Sequence, residues 1–214
     1  MAEIVRTNAV FRDARSRDVI NTVFLTHFPD AERVADLTWG KGAFWHSVER
    51  MGWVIGLDKR PRYGCQIAAD SRHVPLRRGS VDVAIFDPPH QHGISKTTTL
   101  KHQDDYDRMP NQRDIHQLLA DTVPELLRIA RVGVIIKLTD MVEAGRYYPT
   151  HMLFAAAVAP KIGWPCDIAI LDSGVVRPVR PNQRVLHLRH AHSYFLIYKW
   201  AEREPRSPFW EVNR

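Results

Sequence analysis

The stretch Val81 to His90, VDVAIFDPPH, sets an acid, two prolines and an imidazole at the end of an apolar run. Consecutive prolines carry no N–H and hold φ at about −65°, so the chain leaves such a strand stiffly, with carbonyls that no local donor occupies. Those carbonyls, the Asp87 carboxylate and the flat ring of His90 suit a planar ring bearing an exocyclic NH2. Asp87 and the Pro88 carbonyl accept its two hydrogens, Pro89 stiffens the exit, and His90 stacks on the ring face. Taken alone, the tetrapeptide also fits an ordinary turn after a buried strand, and His90 also fits a structural ring satisfied by a nearby carbonyl.

Upstream, Arg33 to Gly42 reads RVADLTWGKG: a short apolar strand, a G-x-G turn at Gly40 and Gly42, then the helical pattern AFWHSVERM. Glycines in such a turn allow positive φ and close approach of a ligand, and a following helix presents free N–H groups. The next apolar run, Trp53 to Leu57, ends in Asp58, 22 residues beyond Asp36. That spacing suits an acid on a ribose hydroxyl pair in a nucleotide-binding βαβ unit. With Asp70 after CQIAAD and Asp87 after VDVAIF, four successive strand ends carry acids. In a parallel α/β sheet these ends form the ligand crevice, so the four are expected at one edge. Any one of them also fits a solvated acid at a strand end.

The elements that must position these residues follow from periodicity. Val19, Ile20, Val23, Phe24 and His27 predict a helix near Arg17 to His27. Strands are expected near 33–38, 53–58, 65–69 and 81–86, a helix from Arg113 to Ala130, and a fifth strand near 132–138. A turn and a helix from Thr150 to Val158 come next, then strands at Asp167 to Asp172 and Ser193 to Trp200. Residues 91 to 113 are polar and long for a connection, as expected of a lid loop. The tail from Ala201 carries Phe209 and Trp210, which could pin it to the body. Nothing repeats, and one domain spanning 1–214 is expected.

These residues resemble the class I S-adenosylmethionine-dependent methyltransferases, and within them the amino-methyltransferases of DNA, over roughly Ala31 to Trp200. That family carries an F-x-G-x-G cofactor loop and a catalytic D/N/S-P-P followed by an aromatic residue. Here the loop stands as Thr38-Trp39-Gly40-Lys41-Gly42, with Thr where Phe is usual. The motif stands as Asp87-Pro88-Pro89-His90, with His where Tyr is commonest. The wording DLTWGKGAFW is also similar to small stand-alone DNA methylases of phage and prophage type. The resemblance implies a Rossmann-like α/β fold, a seven-stranded mostly parallel sheet with one antiparallel strand, flanked by helices. It implies S-adenosylmethionine held by Asp36, Thr38, Trp39, Gly40, Gly42, Asp58, Lys59, Asp70 and Ser71, with Asp87, Pro88, Pro89 and His90 catalytic. Motifs beginning with Asp are more typical of N6-adenine enzymes and those beginning with Ser of N4-cytosine enzymes, which favours adenine.

A base inside a duplex cannot reach such a pocket, so it must be flipped out or single-stranded. Two regions could track a phosphate backbone: Gln91 to Arg113 with Lys96 and Lys101, and Arg177 to His192 with Arg177, Arg180, Arg184 and Arg189. Solvated charged loops have the same look. His187, His190 and His192 raise a metal, but no paired Cys or HExxH pattern supports one, and amine methylation needs none. The net charge of +6 and pI near 9.5 suit a polyanionic partner. Only Cys65 and Cys166 occur, and no apolar run approaches a membrane span, so a soluble cytoplasmic protein is expected. An RNA base-amine methyltransferase, an N4-cytosine enzyme and a non-catalytic cofactor- or nucleic-acid-binding module remain open. A protein-side-chain methyltransferase fits less well, since glutamine-modifying relatives usually carry Asn at the place of Asp87.

Overall fold

In the computed structural model the structure describes residues 9–46, 53–61, 64–89, 112–143, 145–172 and 192–200. The elements are β1 (Val10–Arg12), α1 (Ser16–His27), β2 (Arg33–Asp36), β3 (Trp53–Asp58), β4 (Ile67–Ala68), β5 (Val81–Phe86) and α2 (Gln112–Ile129). They continue with β6 (Ala130–Thr139), β7 (Met141–Glu143), β8 (Arg146–Tyr148), α3 (Thr150–Ile162), β9 (Asp167–Asp172) and β10 (His192–Lys199). Eight strands form one sheet in the order β4-β3-β2-β5-β6-β10-β9-β1. Only β10 runs antiparallel to its neighbours, β6 and β9. The expected architecture is therefore present with one strand more: Val10 to Arg12 adds parallel to β9 at the edge. Three residues show no readable alternation, so periodicity alone does not predict this strand.

Burial on both faces explains the continuous apolar runs. In β5 every residue is buried. Ala84 and Phe86 point into one core layer with Val134, Ile136, Leu138, Leu196 and Tyr198, under α2 and α3. Val83 and Ile85 point into the other with Ile135, Phe195 and Ile197, under α1 through Val19, Ile20, Val23 and Phe24. The chain moves outward from β2 to β3 and β4, then returns across β2 to β5 and outward again to β6. Strand order thus reverses between β2 and β5, and the crevice at their carboxyl ends is where such sheets take ligands.

Several expectations need correction. The expected strand 65–69 contracts to Ile67–Ala68, and the turn before α3 is a hairpin, β7 paired with β8. Ala43 to His46 is a turn and not the start of a helix: Trp45 N–H donates to the Gly42 carbonyl, and its ring is directed to Asp36. Residues 47–51, the rest of that expected helix, lie outside the described residues, as do His90, residues 91–111 of the lid expected over 91–113, residues 177–191 of the basic stretch and the tail from Ala201; Gln112 and Arg113 open α2 instead of closing the lid. No helix among the described residues is long and apolar enough to cross a membrane.

One buried acid locks the amino-terminal edge of the sheet. Asp82 Oδ2 accepts the N–H groups of Glu32 and Arg33 at 2.8 and 2.9 Å, and its Oδ1 takes the Arg131 guanidinium. Burial pushes this carboxyl up, but the two backbone donors and Arg131 bring it below the ordinary value. Asp82→Ala should cost about 2–4 kcal/mol, because two backbone N–H groups and the Arg131 guanidinium lose a buried, charged acceptor. Urea denaturation checks it, and Asp82→Asn, which keeps one acceptor oxygen, should lose less.

Candidate active site

The loop after β2 is fixed from three directions. Leu37 N–H continues the ladder to the Ile85 carbonyl, and Trp39 N–H donates to the Leu57 carbonyl, both at 3.0 Å. Gly40 N–H donates to Asp58 Oδ2 at 2.8 Å. Gly40 and Gly42 hold φ of 51° and 67°, which side chains rarely adopt, so the G-x-G spacing is a backbone requirement here. The Trp39 indole lies in a slot made by two glycines. A Cβ added at Gly56 would stand 2.3 Å from the ring, and one at Gly42 2.9 Å.

Asp36 closes the base of the crevice. It is 1% exposed. Its Oδ1 accepts Thr38 N–H at 3.0 Å and its Oδ2 the Trp45 indole N–H at 2.8 Å. Burial, with the nearby charge of Asp87 adding to it against these donors, raises its pKa from 3.8 to about 6. Thr38 joins this acid to the strand that ends in DPP: its hydroxyl donates toward Asp36 Oδ1 at 3.4 Å and accepts Asp87 N–H at 2.7 Å. A Phe at that place could do neither.

A single cavity of about 740 Å³ runs along this edge. Asp36, Thr38, Trp39, Gly40, Asp58, Lys59, Asp70, Ser71, Asp87, Pro88 and Pro89 all line it, so the four strand-end acids do converge. Gly42 sits in the loop beside it. The acids differ in what already engages them. Asp58 accepts Gly40 N–H and Arg60 N–H, each at 2.8 Å, leaving its oxygens further lone pairs for a ligand. Asp70 is held by a two-point contact with Arg72 at 2.9 and 2.7 Å, and that bond, against partial burial, keeps its carboxyl well below the ordinary range. Ser71 shares a hydrogen bond with Thr122 of α2 at 3.1 Å.

Other residues of the site were not singled out from sequence. Lys137 on β6 puts its ammonium 2.8 Å from Asp87 Oδ2. Asp114, Gln117, Leu118 and Asp121 bring the first turns of α2 to the cavity wall. At the end of β6, buried Asp140 meets Tyr147 Oη at 2.6 Å and His151 Nδ1 at 2.7 Å, and the His151 ring stacks on Tyr194 with 3.6 Å between centroids. The signal for Lys137 was a cation enclosed within the apolar run VGVIIKL, where a strand buried on both faces has no solvent side to receive it.

No family model matches the chain, and no curated protein does. Among solved structures it resembles the 1,6-didemethyltoxoflavin-N1-methyltransferase of Burkholderia thailandensis, which contains bound 1,6-didemethyltoxoflavin and S-adenosylhomocysteine. Identity is 15%, the match covers 87% of this chain and 79% of that one, and the TM-score is 0.50. An rRNA methylase of Streptococcus thermophilus matches over 88% of this chain and 98% of its own at 9% identity, with a TM-score of 0.48. The fold is the Rossmann-like fold of the first of these two, with the antiparallel strand β10 in its sheet.

Thr38→Val keeps the shape but removes the acceptor of Asp87 N–H, and should cost about 1–3 kcal/mol in chemical denaturation. A second expectation concerns Asp36. It binds its proton more tightly in the folded chain, at about 6, than at its ordinary 3.8, so its penalty on stability is absent below the lower value, grows through that window and is complete above the upper one. Asp36→Asn abolishes the dependence. Relative to wild type it should gain about 2–3 kcal/mol between roughly pH 4 and pH 7, read from urea midpoints at both ends.

Proposed function

We propose that the protein is an S-adenosylmethionine-dependent methyltransferase acting on the exocyclic amine of a nucleic-acid base, with N6 of adenine in DNA as its target. The observation that carries this reading is that one cavity joins the glycine loop and Asp58 to Asp87, Pro88 and Pro89 across the reversal of strand order. The S-adenosylhomocysteine bound in the toxoflavin N1-methyltransferase supports the choice of cofactor, and its N1 acceptor supports a nitrogen as the methyl acceptor. The net charge of +6 supports a polyanionic substrate. The Asp that opens the motif favours adenine over cytosine through the family resemblance.

The residues present fit the cofactor. Gly40 and Gly42 leave the loop without side chains where a ligand must come close, and Asp58 offers carboxylate lone pairs at the place suited to ribose hydroxyls. Trp39, Lys59, Asp70 and Ser71 would line the same end. When bound, the cofactor supplies a methyl group already activated by its sulfonium. The chain therefore has to orient the amine and stabilise charge, and needs no strong base.

Asp87 and the Pro88 carbonyl would accept the two amine hydrogens, drawing the nitrogen lone pair out of conjugation and offsetting the positive charge that develops there. The rigid Pro88-Pro89 pair would hold these acceptors in place. Asp36, through Thr38, would fix the N–H side of Asp87 and so its carboxylate. His90, Lys96, Lys101, Arg177, Arg180, Arg184 and Arg189 are assigned to stacking and to phosphate contacts from the sequence alone.

The test is nucleoside mass spectrometry after unmethylated DNA and total RNA are incubated separately with the protein and cofactor carrying a deuterated methyl group. The expected product is labelled N6-methyldeoxyadenosine. Asp87→Ala should lower its formation by roughly 100-fold or more while cofactor affinity stays within a few fold, since Asp87 touches the amine. Label found only in RNA, or on cytosine, would overturn the adenine-in-DNA reading, and an active Asp87→Ala variant would remove Asp87 from the mechanism.

A further inference from the structure

Helices α2 and α3 leave a second cavity between them, of about 720 Å³, close in volume to the one at the crevice. Buried Val123, Phe154 and Val158 line its depth, and exposed Ala120, Leu153 and Ala157 line its sides. Helix α3 has an unusual sequence for a helix at a surface. Residues 152–160 read MLFAAAVAP, without one charged or hydrogen-bonding side chain, yet only Phe154, Ala155 and Val158 among them are buried. Met152 is 61% exposed and Leu153 46%. A helix that is apolar on every side is suited to being covered on more than one.

Two further features say what would cover it. Pro124 lies inside α2 and has no N–H, so the Ala120 carbonyl one turn earlier loses its helical donor, and both residues line the groove. That acceptor is left for a donor from outside the helix. At the rim, exposed Arg78 and Lys161 bring positive charge, while Arg128 is already held by Glu125. An occupant that matches these features has an apolar ring, an N–H on that ring and a carboxylate beside it. Of the six tryptophans in the chain only Trp210 is followed by an acid, Glu211, and Phe209 precedes it.

We infer that the groove between α2 and α3 is the docking site of this chain's own residues 207–212. The Trp210 indole would enter between the helices and give its N–H to the Ala120 carbonyl, with the Glu211 carboxylate toward Arg78 and Lys161. The point at which the chain leaves β10 suits this. Trp200 N–H donates to the Val132 carbonyl at 3.0 Å and its indole N–H to the Arg131 carbonyl at 2.8 Å, three residues beyond Arg128 of the groove. From Trp200 the chain to Trp210 can extend about 33 Å, whereas α2 from His116 to Arg128 runs only about 18 Å. Pro205 and Pro208 stiffen the connection, which lowers the entropy lost on docking.

The experiment uses the full chain with labelled Leu and Val methyl groups and reads NOEs from the Trp210 indole, assigned with Trp210→Phe. Cross-peaks to Leu119, Val123 and Leu153 are expected in wild type, and those to Leu119 and Val123 should vanish in Leu153→Glu, a change at an exposed position. In parallel, trypsin cleavage after Arg206 should be roughly 10-fold faster in Leu153→Glu than in wild type, since a protease must hold residues on both sides of the cut. Trp210→Ser, which leaves both helices intact, should speed it equally. Lys161→Glu should also speed it, and Glu211→Lys in the same chain should restore the wild-type rate. Equal cleavage of wild type and Trp210→Ser, or indole cross-peaks that avoid the groove, would overturn the inference. So would cross-peaks that arise only between differently labelled copies, since the groove would then take the segment of a second copy.

Discussion

The Thr38 hydroxyl is the contact through which the two halves of the crevice know each other's position. It gives its hydrogen toward Asp36 at the end of β2 and takes the N–H of Asp87 at the end of β5. These strands are neighbours in the sheet, but the ladder between them ends with Leu37 and Ile85. Beyond that point the chains diverge, one into the glycine loop and the other into the prolines, and a single side chain spans the gap. The expected family has an aromatic residue there, which would fill space without fixing the carboxylate strand end. In this chain the same position is a hydrogen-bonding relay.

Two buried carboxyls bracket the sheet and are handled in opposite ways. Asp82, at the edge remote from the cavity, receives two backbone donors and a guanidinium, and stays ionised in spite of its burial. Asp36, beneath the cavity, receives only neutral donors among the described residues and has Asp87 as a like-charged neighbour, so its proton is retained toward neutrality. The first arrangement contributes stability. The second costs some of it and places a titratable group under the acid proposed to meet the substrate, which is the usual character of a functional site.

Much of this was legible from residues. The strands through β2, β3, β5, β6, β9 and β10 announce themselves because burial on both faces writes an unbroken apolar run. Helix α2 shows its stripe through Ile115, Leu119, Val123 and Leu126, all buried. The convergence of Asp36, Asp58, Asp70 and Asp87 followed from strand ends alone. Other features lacked a local signal. β1 is too short for any periodicity and exists because β9 offers a ladder, whereas the strand expected at 65–69 is present but keeps only Ile67–Ala68 in its pairing with β3. Phe44 and Trp45 look like the apolar face of a helix, whereas Trp45 is drawn inward by a carboxylate nine residues earlier. Lys137 and Asp82 interrupt apolar runs, and only three-dimensional neighbours disclose that each has an ion partner in the adjoining strand.

The slot that receives the Trp39 ring also constrains how this sequence can drift. Gly56 on β3 and Gly42 in the loop each leave out a side chain for the sake of one indole. While that ring is present, a mutation that gives Gly56 a methyl group collides with it, and while both glycines are present, shrinking the ring leaves an unfilled gap. Either change is harmful first and tolerable second. Descendants of this chain should therefore keep all three residues together or replace them in a fixed order, with the ring reduced before the strand glycine gains a side chain, so the history of the loop and the history of β3 cannot be independent.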